Sequence, residues 1–197
     1  MSNLKQLWVL AGGNGAGKST FYNLYFRKHG VKFVNADLIA KEIDSDNPEN
    51  LSYQAATIAA TIREDLLSQG ISFCFETVFS HESKIDFIAK AKARGYHIIL
   101  VYIHLINSGL NEARVIQRVS EGGHSVPLEK IHNRLPRIMK YIKAALPLVD
   151  EARFLDNSSK DNPFQQTAVL KNGNYIEIAS PLPEWVQEML SDHLSDS

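Results

Sequence analysis

Short hydrophobic runs alternate with longer amphipathic stretches along the first half of the chain. Four of these runs predict buried strands, at residues 7–10, 32–34, 73–75 and 97–103. Residues 51–69 and 80–94 have the spacing of amphipathic helices, and they are closed by Gly70 and Gly95 respectively. Because alternating strands and helices are joined by right-handed crossovers, the pattern predicts an α/β fold with a mostly parallel sheet flanked by helices on both faces.

The second half of the chain departs from this alternation. Residues 112–143 predict two helices, one before Gly122 and Gly123 and one that starts near Pro127. The elements expected after them are a strand at residues 154–155, a C-terminal β-hairpin over residues 168–178 and an acidic helix from about residue 184. We expect a single domain over residues 1–197 in which residues 112–143 form a basic helical lid.

Composition excludes several classes of protein. The 197 residues are 44% hydrophobic and 22% charged, which is typical of a folded globular chain. Lys and Arg number 21 against 22 Asp and Glu, so no overall positive field gathers nucleic acid, and we expect no nucleic-acid partner. A single cysteine, Cys74, excludes an internal disulfide, and no apolar run approaches the ~18 residues that span a bilayer. We therefore expect a cytoplasmic protein without a membrane partner.

A glycine-rich loop follows the first predicted strand and precedes a helix. Its sequence GGNGAGKS matches the pattern G-x-x-x-x-G-K-[ST] at every required position. Such a loop turns backbone N–H groups inward around phosphates, and the helix N-terminus adds partial positive charge. The predicted nucleotide-binding residues are Gly12, Gly13, Asn14, Gly15, Ala16, Gly17, Lys18, Ser19 and Thr20.

Three of these side chains have individual expectations. Lys18 should reach the β- and γ-phosphates of a nucleoside triphosphate, and the Ser19 hydroxyl should bind Mg²⁺, a hard cation that prefers oxygen ligands. Thr20 either places its hydroxyl toward the α-phosphate or is an ordinary first-turn residue. The sequence therefore predicts ATP or GTP with Mg²⁺ at this loop.

Acidic residues follow the second and third predicted strands, where the acceptor of a phosphoryl group would lie. Asp37 comes after the second strand, which we expect beside the strand of the loop, and it either orients an acceptor hydroxyl or caps the helix that follows. Glu76 and Thr77 close the third strand, where they either support Mg²⁺ and substrate hydroxyls or form a solvated strand end. His104 stands where a metal-binding carboxylate would be expected after the fourth strand, and it is interpreted as a structural histidine.

Basic residues concentrate in the predicted lid. Residues 112–143 contain seven Lys and Arg against three Glu, a local net charge of +4. Arg114 and Arg118 are four apart and Arg134 and Arg137 three apart, so each pair shares a helix face. These pairs predict a guanidinium clamp on the transferring phosphoryl group, against the alternative of a solvated basic hairpin. Beyond the lid, Asn157 either lines the adenine site through its backbone or belongs to a plain turn.

Several segments together resemble the zeta-toxin-like group of small P-loop kinases. They are GGNGAGKST, VNADLIAKEI, FETVFS, ARVIQRVSEGGHSVPLEKIHNRLPR and LDNSS. The resemblance covers roughly residues 7–160. It implies a P-loop kinase fold and a kinase that uses ATP or GTP with Mg²⁺ on a small hydroxyl-bearing molecule, which in the best-known branch is an amino-sugar nucleotide.

The resemblance also implies roles for individual residues. By position, Asp37 matches the acceptor-activating aspartate, and Lys18 and Ser19 match the phosphate and magnesium residues. Arg118 and Arg134 match the arginines that clamp phosphate. The chain is shorter than the established toxins, and its sequence identifies no antitoxin partner. A nucleoside- or gluconate-type metabolite kinase and a nucleotide-hydrolysing switch without an acceptor remain as alternatives.

Overall fold

The computed structural model describes residues 4–105 and 128–191, and for residues 128–134 it describes the backbone only. Within these ranges seven strands form one sheet in the order β2-β3-β1-β4-β5-β6-β7. The strands are β1 (Gln6–Ala11), β2 (Lys32–Val34), β3 (Phe73–Thr77), β4 (His97–His104), β5 (Glu151–Asp156), β6 (Gln165–Lys171) and β7 (Asn174–Glu177). The pairs among β2, β3, β1, β4 and β5 are parallel, and β5-β6-β7 is antiparallel.

The helices of the described chain follow the strands in the expected alternation. They are α1 (Lys18–Tyr25), α2 (Ala36–Ile43), α3 (Ser52–Ser68), α4 (Ser83–Ala93), α5 (Leu128–Ala145) and α6 (Glu184–Met189), with short 3₁₀ turns at Arg27–His29, Pro48–Leu51 and Leu146–Leu148. The hairpin between β6 and β7 turns at Asn172 and Gly173, both with positive φ. The predicted C-terminal hairpin is thus confirmed.

Hydrophobic side chains pack on both faces of the sheet. The larger core contains Val9 and Phe75 and is covered by side chains from α3 to α6. The smaller core contains Leu10 and Cys74 and is covered by Phe21 of α1. Because neighbouring residues of a strand face opposite sides, this division follows the alternation within β1 and β3. The α/β fold with helices on both faces is therefore confirmed.

The sheet register brings the ends of three strands to one edge. Leu10 of β1 lies beside Glu76 of β3, and Val34 at the end of β2 lies beside Phe75. The glycine-rich loop leaves β1 at this edge, which is where ligands bind in open parallel sheets. The expectation that the second strand lies next to β1 is wrong, because β3 is inserted between them. Asp37 is consequently separated from the loop by one more strand than predicted.

Two predicted features differ or lie outside the described residues. Helix α4 begins at Ser83 rather than residue 80, because Phe79 has a φ of 61° and the Ser83 N–H is taken up by the His81 ring at 3.1 Å. Of the predicted lid, only α5 falls within the described residues, and the domain boundaries stay a prediction. No helix within residues 4–105 or 128–191 is both long and apolar enough to cross a membrane.

Candidate active site

The glycine-rich loop takes a conformation that only glycine tolerates at two positions. Gly12 has a φ of 150° and Gly17 a φ of 95°. A Cβ on Gly12 would lie 2.4 Å from the Ile103 carbonyl oxygen, and one on Gly17 would lie 2.6 Å from Nδ2 of Asn157. Both distances are shorter than van der Waals contact allows for a carbon atom, so these glycines allow the loop to pack tightly against β4 and β5.

Helix α1 starts directly from this loop without a capping side chain. Gly17 is its N-cap residue in the left-handed conformation, and as a glycine it has no side chain to cap the first N–H groups. Lys18 is only 5% exposed, and its Nζ donates to the carbonyl oxygens of Gly12 at 3.0 Å and Gly13 at 2.8 Å. The ammonium group is thereby held over the loop, where the helix dipole and the uncapped N–H groups also favour an anion.

Glu76 connects the loop to two other side chains. Its Oε2 accepts hydrogen bonds from Ser19 Oγ at 2.6 Å and from Asn35 Nδ2 at 2.7 Å. Its Oε1 lies 3.6 Å from Nζ of Lys18. The structure therefore brings together Lys18, Ser19 and Glu76, three of the predicted site residues. Because hydrogen bonds to an ionised carboxylate are about twice as strong as neutral ones, this group fixes the orientation of the loop side chains.

Asn35 belongs to the same group, and the sequence analysis missed it. Its side chain is 5% exposed and serves two purposes at once. Oδ1 accepts from the backbone N–H groups of Asp37 at 2.7 Å and Leu38 at 3.3 Å, which caps α2, while Nδ2 donates to Glu76. The signal was present, because asparagine at a strand end just before a helix is among the best N-cap residues.

The N-cap role of Asn35 bears on one of the two alternatives for Asp37. The alternative that Asp37 caps the helix is wrong, because Asp37 is the second helical residue of α2, and its role toward an acceptor stays a prediction. Its side chain is half-buried, and among the described residues no side chain or backbone group donates to its carboxylate. Within the described residues, the Asp37 carboxylate thus stands near the sheet edge without a hydrogen-bond donor.

Thr77 and Asn157 make backbone contacts. Thr77 Oγ1 accepts from the N–H of Phe79 at 3.0 Å and so stabilises the turn after β3. Asn157 is 5% exposed, and its Nδ2 donates to the Ala16 carbonyl at 2.9 Å while Oδ1 accepts from the N–H of Phe164 at 3.2 Å. The side chain of Asn157 therefore joins the glycine-rich loop to the end of β5. Thr20, by contrast, is exposed.

His104 is packed inside the larger core. Its ring is stacked on Trp185 with centroids 4.2 Å apart, and Nδ1 lies 3.1 Å from the Tyr102 hydroxyl. Burial lowers the pKa of His104 to about 4, and the nearby Asp156 only partly offsets this effect. The imidazole is therefore neutral near pH 7, and its contacts are those of a structural histidine.

Oxygen atoms at the loop fit a magnesium ion. Ser19 offers a hydroxyl oxygen and Glu76 a carboxylate within hydrogen-bond distance of it. Mg²⁺ prefers such hard ligands, takes few from the protein and keeps several waters or phosphate oxygens. The described parts of the chain contain no group of three His, Cys, Asp or Glu side chains that could hold a metal ion.

Most of the predicted guanidinium clamp lies outside the described residues. Arg114 and Arg118 fall in the undescribed range, as do Gly122 and Gly123, and Arg134 is placed only by its backbone on α5. Arg137 is exposed on the same helix. The clamp and the roles of its arginines stay predictions.

Comparison with known families and sequences gives two findings. A model of the zeta toxin family matches residues 2–166 of the chain. An uncharacterised protein of Haemophilus influenzae is 33% identical over 130 residues, which cover 62% of this chain and 91% of that protein.

Comparison with solved structures shows the fold. The AvrRxo1-ORF1:AvrRxo1-ORF2 complex with sulphate ions superposes with a TM-score of 0.75 at 16% identity, over 92% of this chain and 63% of that one. The PezAT toxin–antitoxin system of Streptococcus pneumoniae gives a TM-score of 0.67 at 16% identity, over 98% of this chain and 86% of that one. The present chain thus spans less than two thirds of the length of the AvrRxo1 chain that it matches.

Proposed function

The chain belongs to the zeta toxin family, and on that premise we propose that it is a kinase that transfers the γ-phosphoryl group of ATP or GTP to a hydroxyl group of a small molecule. The observation that carries the proposal is the contact of Glu76 with Ser19, Asn35 and Lys18 at the glycine-rich loop. This network links the nucleotide loop to the strand ends where an acceptor would approach.

In this proposal the glycine-rich loop binds the triphosphate. Its backbone N–H groups and the start of α1 surround the phosphates, and Lys18 places its ammonium group beside the β- and γ-phosphates. ATP as the donor is supported by a related fold, because the AvrRxo1-ORF1:-ORF2 complex has also been solved with ATP, with a TM-score of 0.73 at 17% identity. Asn157 supports binding indirectly by holding the Ala16 carbonyl.

Ser19 and Glu76 would hold Mg²⁺ at the loop. The ion would supply positive charge that offsets the charge developing on the β- and γ-phosphate oxygens. Glu76 keeps the Ser19 hydroxyl oriented, and Asn35 keeps Glu76 oriented through its amide group. This chain of contacts positions the metal-binding hydroxyl without requiring a larger cluster of acidic residues.

Asp37 would orient the acceptor hydroxyl for in-line attack. Phosphoryl transfer is largely dissociative, so the hydroxyl loses its proton late and orientation matters more than the basicity of the carboxylate. The carboxylate of Asp37, to which no group donates within residues 4–105 or 135–191, supports this role, as does its position on α2, which Asn35 caps. We include Arg118 and Arg134 as the groups that neutralise the transferring phosphoryl, and a sugar or amino-sugar nucleotide as the acceptor.

A labelled-phosphate assay tests the proposal. The protein is incubated with a metabolite pool, Mg²⁺ and ATP labelled at the γ-phosphate, and the Asp37→Asn variant is compared with wild type. We expect a labelled product from wild type and a rate lower by at least about 100-fold in the variant, because general acid–base and positioning residues typically contribute 10²–10⁴-fold. Asp65→Asn, which replaces an exposed carboxylate on α3, is the matched control and should leave the rate unchanged.

Nucleotide affinity separates loss of chemistry from loss of folding. Asp37→Asn should bind ATP as tightly as wild type, because Asp37 lies outside the glycine-rich loop. ATP hydrolysis that is equal in both proteins, with no labelled metabolite from either, would contradict the kinase and favour a nucleotide-operated switch.

A further inference from the structure

Phe164 has a backbone conformation that bulky residues rarely adopt. Its φ is 58°, in the left-handed region, where the Cβ atom of an L-residue lies too close to a carbonyl oxygen. Residues in such conformations persist where surrounding contacts hold them, and they are frequent at functional sites. Phe164 directly precedes β6, and its contacts indicate what its unfavourable conformation serves.

Both ends of the segment between β5 and β6 turn toward the glycine-rich loop. Residues 159–163 are exposed, whereas Asn157 is 5% exposed and Phe164 is half-buried. The N–H of Phe164 donates to Oδ1 of Asn157 at 3.2 Å, which closes the segment on itself. Nδ2 of Asn157 donates to the Ala16 carbonyl oxygen at 2.9 Å. The backbone of Phe164 is thus joined to the loop through one amide group.

The ring of Phe164 packs against the first turn of α1. A Cβ atom on Gly17 would lie 3.2 Å from Cε1 and 3.3 Å from Cζ of this ring, so the ring fills the space beside the N-cap residue. The ring centroid also lies 5.3 Å from that of Phe21, at an interplanar angle of 68°. The N–H of Phe21 donates to the Gly17 carbonyl oxygen at 2.8 Å. Phe164 therefore contacts both ends of this hydrogen-bonded turn.

The glycine-rich loop needs such support because of its composition. Glycine has the widest backbone freedom and loses the most entropy when it is ordered. Phosphate is bound tightly where the N–H donors already point at it, since every group that must first be ordered lowers the affinity. On one side of the loop, the Ser19 hydroxyl is fixed by Glu76. Phe164 and Asn157 hold the other side, at the N-cap Gly17.

We propose that Phe164 is a positioning residue for the phosphoryl donor. Through Gly17 and Asn157 it holds the N–H groups at the start of α1 in the arrangement that binds phosphate, and its ring acts on the loop rather than on the nucleobase. This assignment rests on the proposed binding of a nucleoside triphosphate by the glycine-rich loop, and it extends the donor site to the segment between β5 and β6.

Binding of two ligands that share only their phosphates tests the assignment. A nonhydrolysable ATP analogue and inorganic triphosphate, each with Mg²⁺, are titrated by calorimetry into wild type and Phe164→Ala. Both Kd values should rise by the same factor, which is about tenfold if about a tenth of the variant molecules keep the binding arrangement. Urea denaturation at the titration temperature reports whether the variant is folded.

Phe164→Met and Tyr175→Ala are the matched variants. Methionine fills most of the space of the ring with an adaptable side chain, so Phe164→Met should bind both ligands more tightly than Phe164→Ala. Tyr175 is half-buried and packs against the larger core, on the opposite face of the sheet from Phe164. Tyr175→Ala removes aromatic packing from that face and should leave both Kd values unchanged.

The labelled-phosphate assay separates this assignment from the kinase proposal. Phe164→Ala should raise KM for ATP and leave kcat unchanged at saturating ATP, because it removes binding that the ground state and the transition state share. Weaker binding of the ATP analogue with unchanged binding of triphosphate would overturn the assignment, because the ring would then contact the nucleoside. Equal Kd values in wild type and Phe164→Ala would overturn it as well. The expected losses of affinity without any labelled product from wild type would refute the kinase alone.

Discussion

Replacement of Asn35 by aspartate tests the Glu76 network most directly. The amide of Asn35 donates to Glu76 Oε2 at 2.7 Å while its oxygen caps α2. Aspartate is an equally good N-cap residue, so Asn35→Asp preserves the cap and changes only the group that faces Glu76. Asn35→Ala removes both hydrogen bonds and is the comparison variant.

The expected loss of unfolding free energy in each variant follows from the hydrogen bonds that the substitution removes. Asn35→Ala lacks a hydrogen bond to a charged group at every pH, and Asn35→Asp lacks it when both carboxyl groups are ionised; such a loss costs about 1.5–3 kcal/mol of unfolding free energy. Asn35→Ala is destabilised by about 1 kcal/mol more because it also lacks the cap. Asn35→Asp instead sets two carboxyl groups at hydrogen-bond distance, where both cannot remain ionised and the folded state must take up a proton.

The two variants should therefore differ in how their stability depends on pH. Because the folded form of Asn35→Asp binds one proton more than its unfolded form at neutral pH, its stability falls as pH rises. Between about pH 5 and about pH 8 it should lose at least about 2 kcal/mol relative to wild type, whereas Asn35→Ala should show a deficit that is independent of pH.

Urea denaturation of wild type and both variants at the two pH values measures this difference, with the slopes of the transitions compared to exclude changes in the unfolded state. Nucleotide affinity is measured in parallel, and it should fall in Asn35→Asp as pH rises because Ser19 loses its fixed acceptor. Parallel pH profiles for the two variants would refute the inference that Asn35 and Glu76 share a hydrogen bond in the folded protein.

Two further predictions concern residues that support the site. The pKa of the buried His104 is lowered to about 4, whereas in the unfolded chain it is about 6.5. As pH falls below about 6.5 the unfolded chain therefore binds the proton first, and the wild type should lose up to about 3 kcal/mol of unfolding free energy. His104→Phe keeps a ring against Trp185, and its urea midpoint should lack this acid dependence. Asn157→Ala removes two buried hydrogen bonds and should lower unfolding free energy by about 2–3 kcal/mol, with weaker binding of ATP measured by calorimetry. Unchanged ATP affinity in Asn157→Ala would contradict its role in holding the glycine-rich loop.

Local signals in the sequence were sufficient for most of the fold. The bounds of β2 and the position of the β6–β7 turn agree with the expectation because each depends on neighbouring residues, a hydrophobic triplet in one case and Asn172-Gly173 in the other. The start of α4 differs from the prediction, because Phe79 takes a positive φ that local preference disfavours. Its fully buried ring shows that packing overrides that preference.

Contacts between distant residues account for what the sequence could not predict at the candidate site. Glu76 could be selected from its place at a strand end, but its hydrogen bond to Ser19 spans 57 residues and depends on the pairing of β1 with β3. Arg63 has the sequence context of a solvated helix face. Only the packing of α3 and α4 over Phe75 shows that its guanidinium is stacked and that its Nε has no acceptor in the described residues.

The alternation of side chains along β3 connects these observations. Glu76 faces the glycine-rich loop and Phe75 faces the larger core, so the two faces of one short strand serve the candidate site and the packing of the helices. A slip of β3 by one residue against β1 would exchange these faces, burying the Glu76 carboxylate in the larger core and removing the acceptor of Ser19. The fully buried Phe73 and Phe75 oppose that slip, because it would turn both rings out of the larger core. The hydrophobic pattern that folds the sheet thus also fixes which side chains meet the nucleotide.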